Sequence, residues 1–127
     1  MRHSKAAKSD SNKLRILAID IGGTGLKASV VDETGHLLVG RRRLATPYPC
    51  PPSVMLDVLA QLVEALPPHN RIAIGFPGVV HGGRVVTAPH VGTEEWAGFP
   101  LCAAASERFG GPSHHAVQVS EVAKDLK

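Results

Sequence analysis

Aromatic residues are scarce in this chain of 127 residues, at 4% of the sequence, and there are only two cysteines. A hydrophobic core must therefore be built mainly from aliphatic side chains. Cys50 and Cys102 are far apart and form no C-x-x-C pair, which excludes a zinc or redox motif built from them. We interpret them as free thiols, which indicates a reducing cytoplasm.

Long apolar runs are also missing. No stretch approaches the roughly 20 apolar residues that a membrane span requires. Residues 1–13 are basic and polar and lack the apolar centre of a signal peptide. The sequence therefore predicts a cytoplasmic protein without a membrane partner and with a disordered basic tail at 1–13.

Excess positive charge is small, at a formal +3, and it is concentrated at the N-terminus and at Arg41, Arg42 and Arg43. Neither cluster is interleaved with aromatic residues, which argues against a nucleic-acid partner. A solvated tail and a strand end are the favoured interpretations. The length allows one compact domain.

Apolar periodicity predicts an α/β fold with a mixed sheet. Strands are expected at 14–21, 26–32 and 37–44, and the short turns between them predict an antiparallel meander, with Gly35 supplying a positive φ. The prolines of 46–52 indicate a crossover loop. A helix follows, whose apolar face contains Met55, Leu59, Leu62 and Leu66. Further elements are expected in the order strand 71–76, hairpin 79–86, loop 87–100, helix 101–109 and strand 117–119.

The sharpest motif is Asp20-Ile21-Gly22-Gly23-Thr24-Gly25-Leu26-Lys27, which joins the first two strands. Its glycines are expected to adopt positive φ and to let the backbone approach a ligand. Successive N–H groups of such a turn bind anions, and the Thr24 hydroxyl adds a donor. Asp20 is suited to hold Mg²⁺ through water. This pattern favours a phosphate site for phosphoryl transfer, and the alternative is a purely structural hairpin.

The motif is neither a Walker A loop nor G-x-G-x-x-G. It resembles the first phosphate motif of the ROK (repressor–ORF–kinase) family of sugar kinases. Ile74-Gly75-Phe76-Pro77-Gly78-Val79-Val80 resembles the family's G-x-P-G-x-V segment, and the stretch TAPHVGTEEW at 87–96 resembles its sugar-side loop. GGTGLK and GTEEWAGFPL are most similar to the polyphosphate glucokinase branch, and the resemblance extends from about 14 to 112.

The resemblance implies the N-terminal lobe of an actin-like ATPase or ribonuclease H-like fold, at 14–119. It implies transfer of a phosphoryl group from polyphosphate or ATP, with Mg²⁺, to the 6-hydroxyl of glucose. The residues it assigns to the donor are Asp20 with the metal, Gly22, Gly23, Thr24 and Lys27; those it assigns to the sugar are Pro77, Gly78, Thr87 and His90. Two assignments stay open at this point. Lys27 either contacts the donor or is a solvent-facing lysine of the strand. Trp96 either forms a wall of the sugar site or anchors the loop that contains it.

Two departures from the family pattern affect the site. His90 stands where the family has asparagine. Ser120-Glu121-Val122-Ala123 stands where the family reads N-D-x-[DN], whose aspartate is the general base. Glu121 is therefore either a substitute catalytic base or a surface glutamate, and residues 120–127 are interpreted as an atypical tail.

The family's second lobe, its E-x-G-H segment and its cysteine-rich zinc motif are not in this sequence. We therefore expect a truncated lobe that is inactive alone and that self-associates through its exposed interlobe face. The alternative is a non-catalytic phosphate-binding module. A ROK-type repressor is disfavoured, because only about a dozen polar residues precede the first strand, too few for a helix-turn-helix domain.

Overall fold

The computed structural model describes residues 13–110 and 118–123 of the chain. The predicted tail, apart from Lys13, lies outside the described residues, as do 111–117 and 124–127. The described elements are β1 (Arg15–Ile21), β2 (Gly25–Asp32), β3 (Arg42–Ala45), α1 (Pro52–Val63), β4 (Arg71–Phe76), β5 (Val79–His81), β6 (Arg84–Thr87), α2 (Thr93–Trp96), α3 (Leu101–Phe109) and β7 (Gln118–Ala123).

The main sheet has the strand order β3-β2-β1-β4-β7. β1, β2 and β3 form the predicted antiparallel meander. β4 is parallel to β1, and β7 is parallel to β4, which requires crossover connections such as the one that carries α1. β5 and β6 form a separate hairpin, as predicted. The α/β class with a mixed sheet is confirmed.

Alternate residues of the strands supply the core, which lies between one face of the sheet and the helices. α1 contacts β2, β3 and α3, and it buries Met55, Leu59 and Leu62 as predicted. Each such side chain contributes about 1.5–3 kcal/mol when it is withdrawn from water. The sheet residues of this core are Leu17, Ile19, Ile21, Leu26, Ala28, Val30, Ile72, Ile74 and Phe76.

β3 is shorter than predicted, because the ladder between the second and third strands is interrupted. Leu37 pairs with Val31 through a single bridge, and regular pairing resumes only where Arg42 meets Ala28. Ala28 and Val31 are three positions apart on β2, whereas Leu37 and Arg42 are five positions apart on the returning chain, so two extra residues leave the ladder. Gly35 at the preceding turn has φ +86°, as predicted.

Other boundaries also differ. α1 ends at Val63, not at Leu66, and α2 lies inside the predicted loop 87–100. β7 continues to Ala123, through residues that the sequence analysis placed in a tail, because strand pairing uses backbone groups and does not require the family's side chains. In the described ranges, no helix has the length and hydrophobicity needed to cross a membrane.

Candidate functional site

A tight hairpin with Gly23 and Thr24 at its tip connects β1 to β2. The Gly22 N–H donates to the Gly25 carbonyl oxygen at 2.9 Å and closes the turn. The predicted positive φ is wrong: none of Gly22, Gly23 and Gly25 adopts one. The turn therefore needs glycine for a reason other than backbone conformation.

That reason is space. A Cβ on Gly22 would lie 2.9 Å from the Gly25 carbonyl oxygen, and one on Gly25 would lie 2.5 Å from the Arg43 guanidinium. A Cβ on Gly23 would lie 3.2 Å from the Cβ of His90. A side chain at Gly22 would collide with the backbone of the turn itself, whereas the Arg43 guanidinium beside Gly25 is the end of a flexible side chain and His90 beside Gly23 would need to move only slightly.

The crossover loop between β3 and α1 binds three consecutive carbonyl groups of the turn. The Thr46 hydroxyl donates to Gly22 O at 2.8 Å, and the Thr46 N–H donates to Thr24 O at 3.1 Å. The Tyr48 hydroxyl donates to Gly23 O. The peptide planes of the turn are therefore fixed from one side.

This anchoring sets the direction of the turn's N–H groups. In a trans peptide the carbonyl and the N–H of the next residue point in opposite directions. The N–H groups of Gly23 and Thr24 are therefore directed away from the crossover loop, and neither donates to another group within residues 13–110. Together with the exposed Thr24 hydroxyl, they are the candidate donors for an anion. Gly22 is not in this set, because its N–H closes the turn.

Asp20, Lys27 and Arg43 occupy one row across the three antiparallel strands. Asp20 pairs with Lys27, and Lys27 pairs with Arg43. Asp20 and Lys27 are part-buried and line, together with Arg41, a groove of about 280 Å³ on the sheet. Lys27 is thus placed in the groove beside the glycine turn, where its charge can act on an anion.

The residues around the turn are compatible with Mg²⁺ only when a phosphate is also present. Among the residues that the structure describes, no three metal-ligating side chains come together. Mg²⁺ commonly binds through one or two carboxylates, with the remaining positions filled by waters and substrate phosphates. Asp20, at the end of β1 beside the turn, supplies one such carboxylate.

Pro77 and Gly78, predicted to line the sugar cleft, are buried. A Cβ on Gly78 would lie only 2.0 Å from the carbonyl oxygen of Thr87. The Val79 N–H donates to the Thr87 hydroxyl oxygen at 3.3 Å. These residues hold the end of β4 against the end of β6.

His90 is exposed and lies against the glycine turn. Its Cβ is close to Gly23, and its carbonyl oxygen is 3.4 Å from the Tyr48 hydroxyl. The structure therefore brings the predicted sugar-side loop to the predicted phosphate turn. This proximity matters, since a phosphoryl acceptor must reach the terminal phosphate of the donor.

Glu121 lies within β7, where it pairs with Ile74, whereas the sequence analysis expected it after the end of a strand. Its role as catalytic base stays a prediction.

Trp96 is fully buried and packs on Phe76 at a ring distance of 5.2 Å. Its indole N–H donates to the carbonyl oxygen of Cys50 at 2.9 Å. Of the two alternatives for Trp96, the structure supports the anchoring role.

The sequence analysis missed Thr46, Tyr48 and Arg43. In the proline-rich segment, the hydroxyl residues Thr46 and Tyr48 alternate with prolines. This alternation is the only local sign of their role. Their partners lie more than twenty residues earlier in the chain, so nothing in the motif itself identifies them.

Comparison with known proteins finds similarity over most of the chain. Residues 16–123 match the ROK family. The polyphosphate glucokinase of Mycobacterium tuberculosis (strain H37Rv) is 37% identical over 81 residues, covering 63% of this chain and 30% of that protein. The N-acetylmannosamine kinase of Shigella flexneri is 39% identical over 79 residues, covering 61% and 27%.

The fold is likewise similar to that of a solved kinase. The crystal structure of the inorganic polyphosphate/ATP-glucomannokinase from Arthrobacter sp. strain KM aligns with a TM-score of 0.72 and 30% identity. The alignment covers 87% of this chain and 44% of that one. This chain therefore spans less than half the length of the relatives that it matches.

Proposed function

Because this chain belongs to the ROK family, we propose that it is the donor-binding lobe of a sugar kinase that uses polyphosphate or ATP with Mg²⁺. The observation that carries the proposal is the glycine turn. Its carbonyl groups are bonded to the crossover loop, and the N–H groups of Gly23 and Thr24 are directed to the other side. The names of relatives that use polyphosphate support the choice of donor.

The acceptor in this proposal is a hexose, and we favour the 6-hydroxyl of glucose. His90 beside Gly23 is the side chain best placed to bind a sugar hydroxyl near the donor's terminal phosphate. A glucokinase and a glucomannokinase among the similar proteins support glucose. The similarity to an N-acetylmannosamine kinase makes that sugar the comparison substrate for any assay.

These residues would position the transferred phosphate and neutralise its charge. These two effects dominate catalysis of phosphoryl transfer. The N–H groups of Gly23 and Thr24 and the Thr24 hydroxyl would bind the oxygens of the terminal phosphate. Lys27 would offset its charge, and Asp20 would hold Mg²⁺ together with the donor. Mg²⁺, when bound, supplies further neutralisation of the phosphate charge. Glu121 remains the candidate that accepts the proton of the sugar hydroxyl.

Turnover needs more than this lobe in our proposal. Kinases exclude water and complete their sites by closing around both substrates. The relatives are more than twice as long as the region they share with this chain. We therefore expect the 127-residue chain to bind donor as a phosphate-binding module and to form no sugar phosphate. Formation of glucose 6-phosphate by the purified chain from polyphosphate and glucose would contradict this part of the proposal.

Calorimetric titration of the full chain with inorganic triphosphate and Mg²⁺ tests the donor site. We expect Thr24→Val to weaken binding about tenfold, the value of one hydrogen bond to a charged group. Asp20→Ala should weaken the Mg²⁺-dependent part of the binding. The control is Thr34→Val, which removes a hydroxyl from the turn that follows β2. Unchanged affinity in both site variants would contradict the proposed site.

A further inference from the structure

Three cationic side chains follow the edge of the sheet from the glycine turn outward. The guanidinium group of Arg43 lies directly over Gly25, the residue that ends the turn. Lys27 is its cross-strand partner. Arg41 lies two residues before Arg43 and lines the same groove as Lys27. We call Lys27, Arg41 and Arg43 the cation row.

Within residues 13–110, Arg41 and Arg43 form no ion pair with a carboxylate, whereas Lys27 has Asp20 as its cross-strand neighbour on β1. The ion pairs within residues 13–110 join Arg15 to Glu33 and Arg108 to Asp57, and none includes a member of the row. Like charges directly opposite each other destabilise an antiparallel strand pair. The Asp20 carboxylate opposite Lys27 offsets part of this repulsion, and an anion bound beside Arg43 would offset more of it.

The position of the row on the sheet favours an extended anion. β3 is an edge strand, and all four of its residues are exposed. Arg43 lies in β3 and Arg41 just before it, while Lys27 lies opposite Arg43 on β2, so the row places three charges together at this edge of the sheet. The groove that Lys27 and Arg41 line contains no aromatic side chain among the described residues, so it lacks a platform for stacked bases.

We propose that the cation row binds internal phosphates of a linear polyphosphate whose terminal phosphate lies on the glycine turn. Arg43 and Lys27 would hold the phosphates next to the turn, and Arg41 would hold those further along the chain. The row would then make this lobe prefer a long polyphosphate over a short donor. This inference rests on the proposed donor site at Gly23 and Thr24.

The test compares two donors on the full chain, a long-chain polyphosphate and inorganic triphosphate, each with Mg²⁺. We expect Arg41→Gln to lower the affinity for the long chain about fivefold, the value of one exposed ion pair, and to leave triphosphate binding unchanged. Arg43→Gln should weaken long-chain binding at least as much. Both variants should also reduce the dependence of long-chain binding on salt concentration.

The matched control is Arg71→Gln. Arg71 is exposed and pairs with Ile16, at the end of β1 opposite the glycine turn, so its removal changes the net charge equally without touching the row. It should leave binding of both donors unchanged. Equal thermal unfolding temperatures for the three variants would show that each is folded.

The possible outcomes separate this inference from the donor site. If triphosphate binds and the affinity for the long chain is unchanged in Arg41→Gln and Arg43→Gln, the proposed role of the cation row is wrong and the proposed donor site is unaffected. Absence of binding for both donors in the wild-type chain would overturn the donor site and the row together. Displacement of long-chain polyphosphate by a single-stranded oligonucleotide of equal charge, at equal concentration, would identify a non-specific polyanion surface and overturn the proposal.

Discussion

Individual side chains around the glycine turn act by fixing the direction of its peptide groups. Thr46 and Tyr48 bind the carbonyl side of the turn, which leaves the N–H side for a ligand. The proposed phosphate binding would therefore depend on Thr46 and Tyr48 although neither contacts the phosphate in our proposal. Tyr48 is the better probe of this dependence, because its side chain is 61% exposed and contributes little to the core.

Tyr48→Phe should weaken binding of triphosphate while the protein stays folded. The change removes the hydroxyl that holds the Gly23 carbonyl, and with it the constraint on the Thr24 N–H. A loss of about fivefold is expected, equivalent to one neutral hydrogen bond of about 1 kcal/mol. Calorimetry measures the affinity, and the thermal unfolding temperature serves as control. Full donor affinity in Tyr48→Phe would show that the turn holds its shape without this contact.

Gly78 should be one of the most sensitive positions of the chain. A Cβ there would lie 2.0 Å from a backbone oxygen of Thr87, which cannot move aside as a side chain would. We expect Gly78→Ala to lower the free energy of unfolding by about 3 kcal/mol or more, at the upper end of the cost of overpacking. Urea denaturation followed by circular dichroism measures the loss.

Gly40→Ala is the matched control for Gly78→Ala. A Cβ on Gly40 would meet nothing within 4 Å, and its φ is not positive, so alanine fits there. The free energy of unfolding should change by less than about 0.5 kcal/mol. Equal stability of the two variants would contradict the close packing of the β4 and β6 ends.

At the site, the sequence alone identified the residues that belong to a local motif. Asp20, Thr24 and Lys27 were predicted correctly as neighbours of one turn, because their spacing on adjacent strands is fixed by a short hairpin. Thr46 and Tyr48 escaped prediction because their contacts with the turn depend on how the crossover loop folds back. The glycines were singled out for the wrong reason, since none of them has a positive φ and close packing against backbone requires glycine only at Gly22.

Strands and helices with strong apolar patterns were the predictable elements. β1, β4 and α1 each bury alternate or helically spaced aliphatic residues, and the predicted core positions of α1 are buried. The limits of β3 were not predictable from pattern. Its pairing is displaced by two extra residues that leave the ladder after Leu37, and such displacement depends on the geometry of the whole hairpin.

The connection between α1 and β4 contains a histidine, His69, that forms a hydrogen bond with α3. His69 donates from Nε2 to the carbonyl oxygen of Phe109, at the end of α3, over 2.7 Å. Burial lowers the pKa of His69 below its usual value near 6.5, although the hydrogen bond to Phe109 acts in the opposite direction. The unfolded chain therefore binds this proton more readily than the folded chain does.

Acidification through the range below about pH 6.5 should thus destabilise the protein, because a proton on His69 favours the unfolded state. The contribution is fully present above the unfolded pKa and is lost as the pH falls toward the folded pKa. Urea denaturation at neutral and at mildly acidic pH measures the change in the free energy of unfolding. His69→Gln should flatten this part of the pH dependence, and an unchanged slope in that variant would assign the effect to other groups.

The molecule as a whole corresponds to less than half of the kinases that it resembles. The antiparallel meander and the mixed α/β sheet were predicted from the sequence, whereas the placement of β4 beside β1 and of β7 beside β4 was not. Self-association and the role of Glu121 remain predictions. The central claim concerns the site that the lobe contains by itself, namely a phosphate cradle formed by the N–H groups of Gly23 and Thr24.

Nuclear magnetic resonance of the amide groups during titration with inorganic triphosphate and Mg²⁺ tests that claim most directly. The resonances of Gly23 and Thr24 should shift downfield and saturate, as expected for N–H groups that acquire a charged acceptor. Gly22 should shift less, because its N–H remains bonded to Gly25, and Gly110, the residue that follows α3, should not shift. The absence of saturable shifts at Gly23 and Thr24, or saturable shifts only elsewhere in the chain, would contradict the proposed phosphate site.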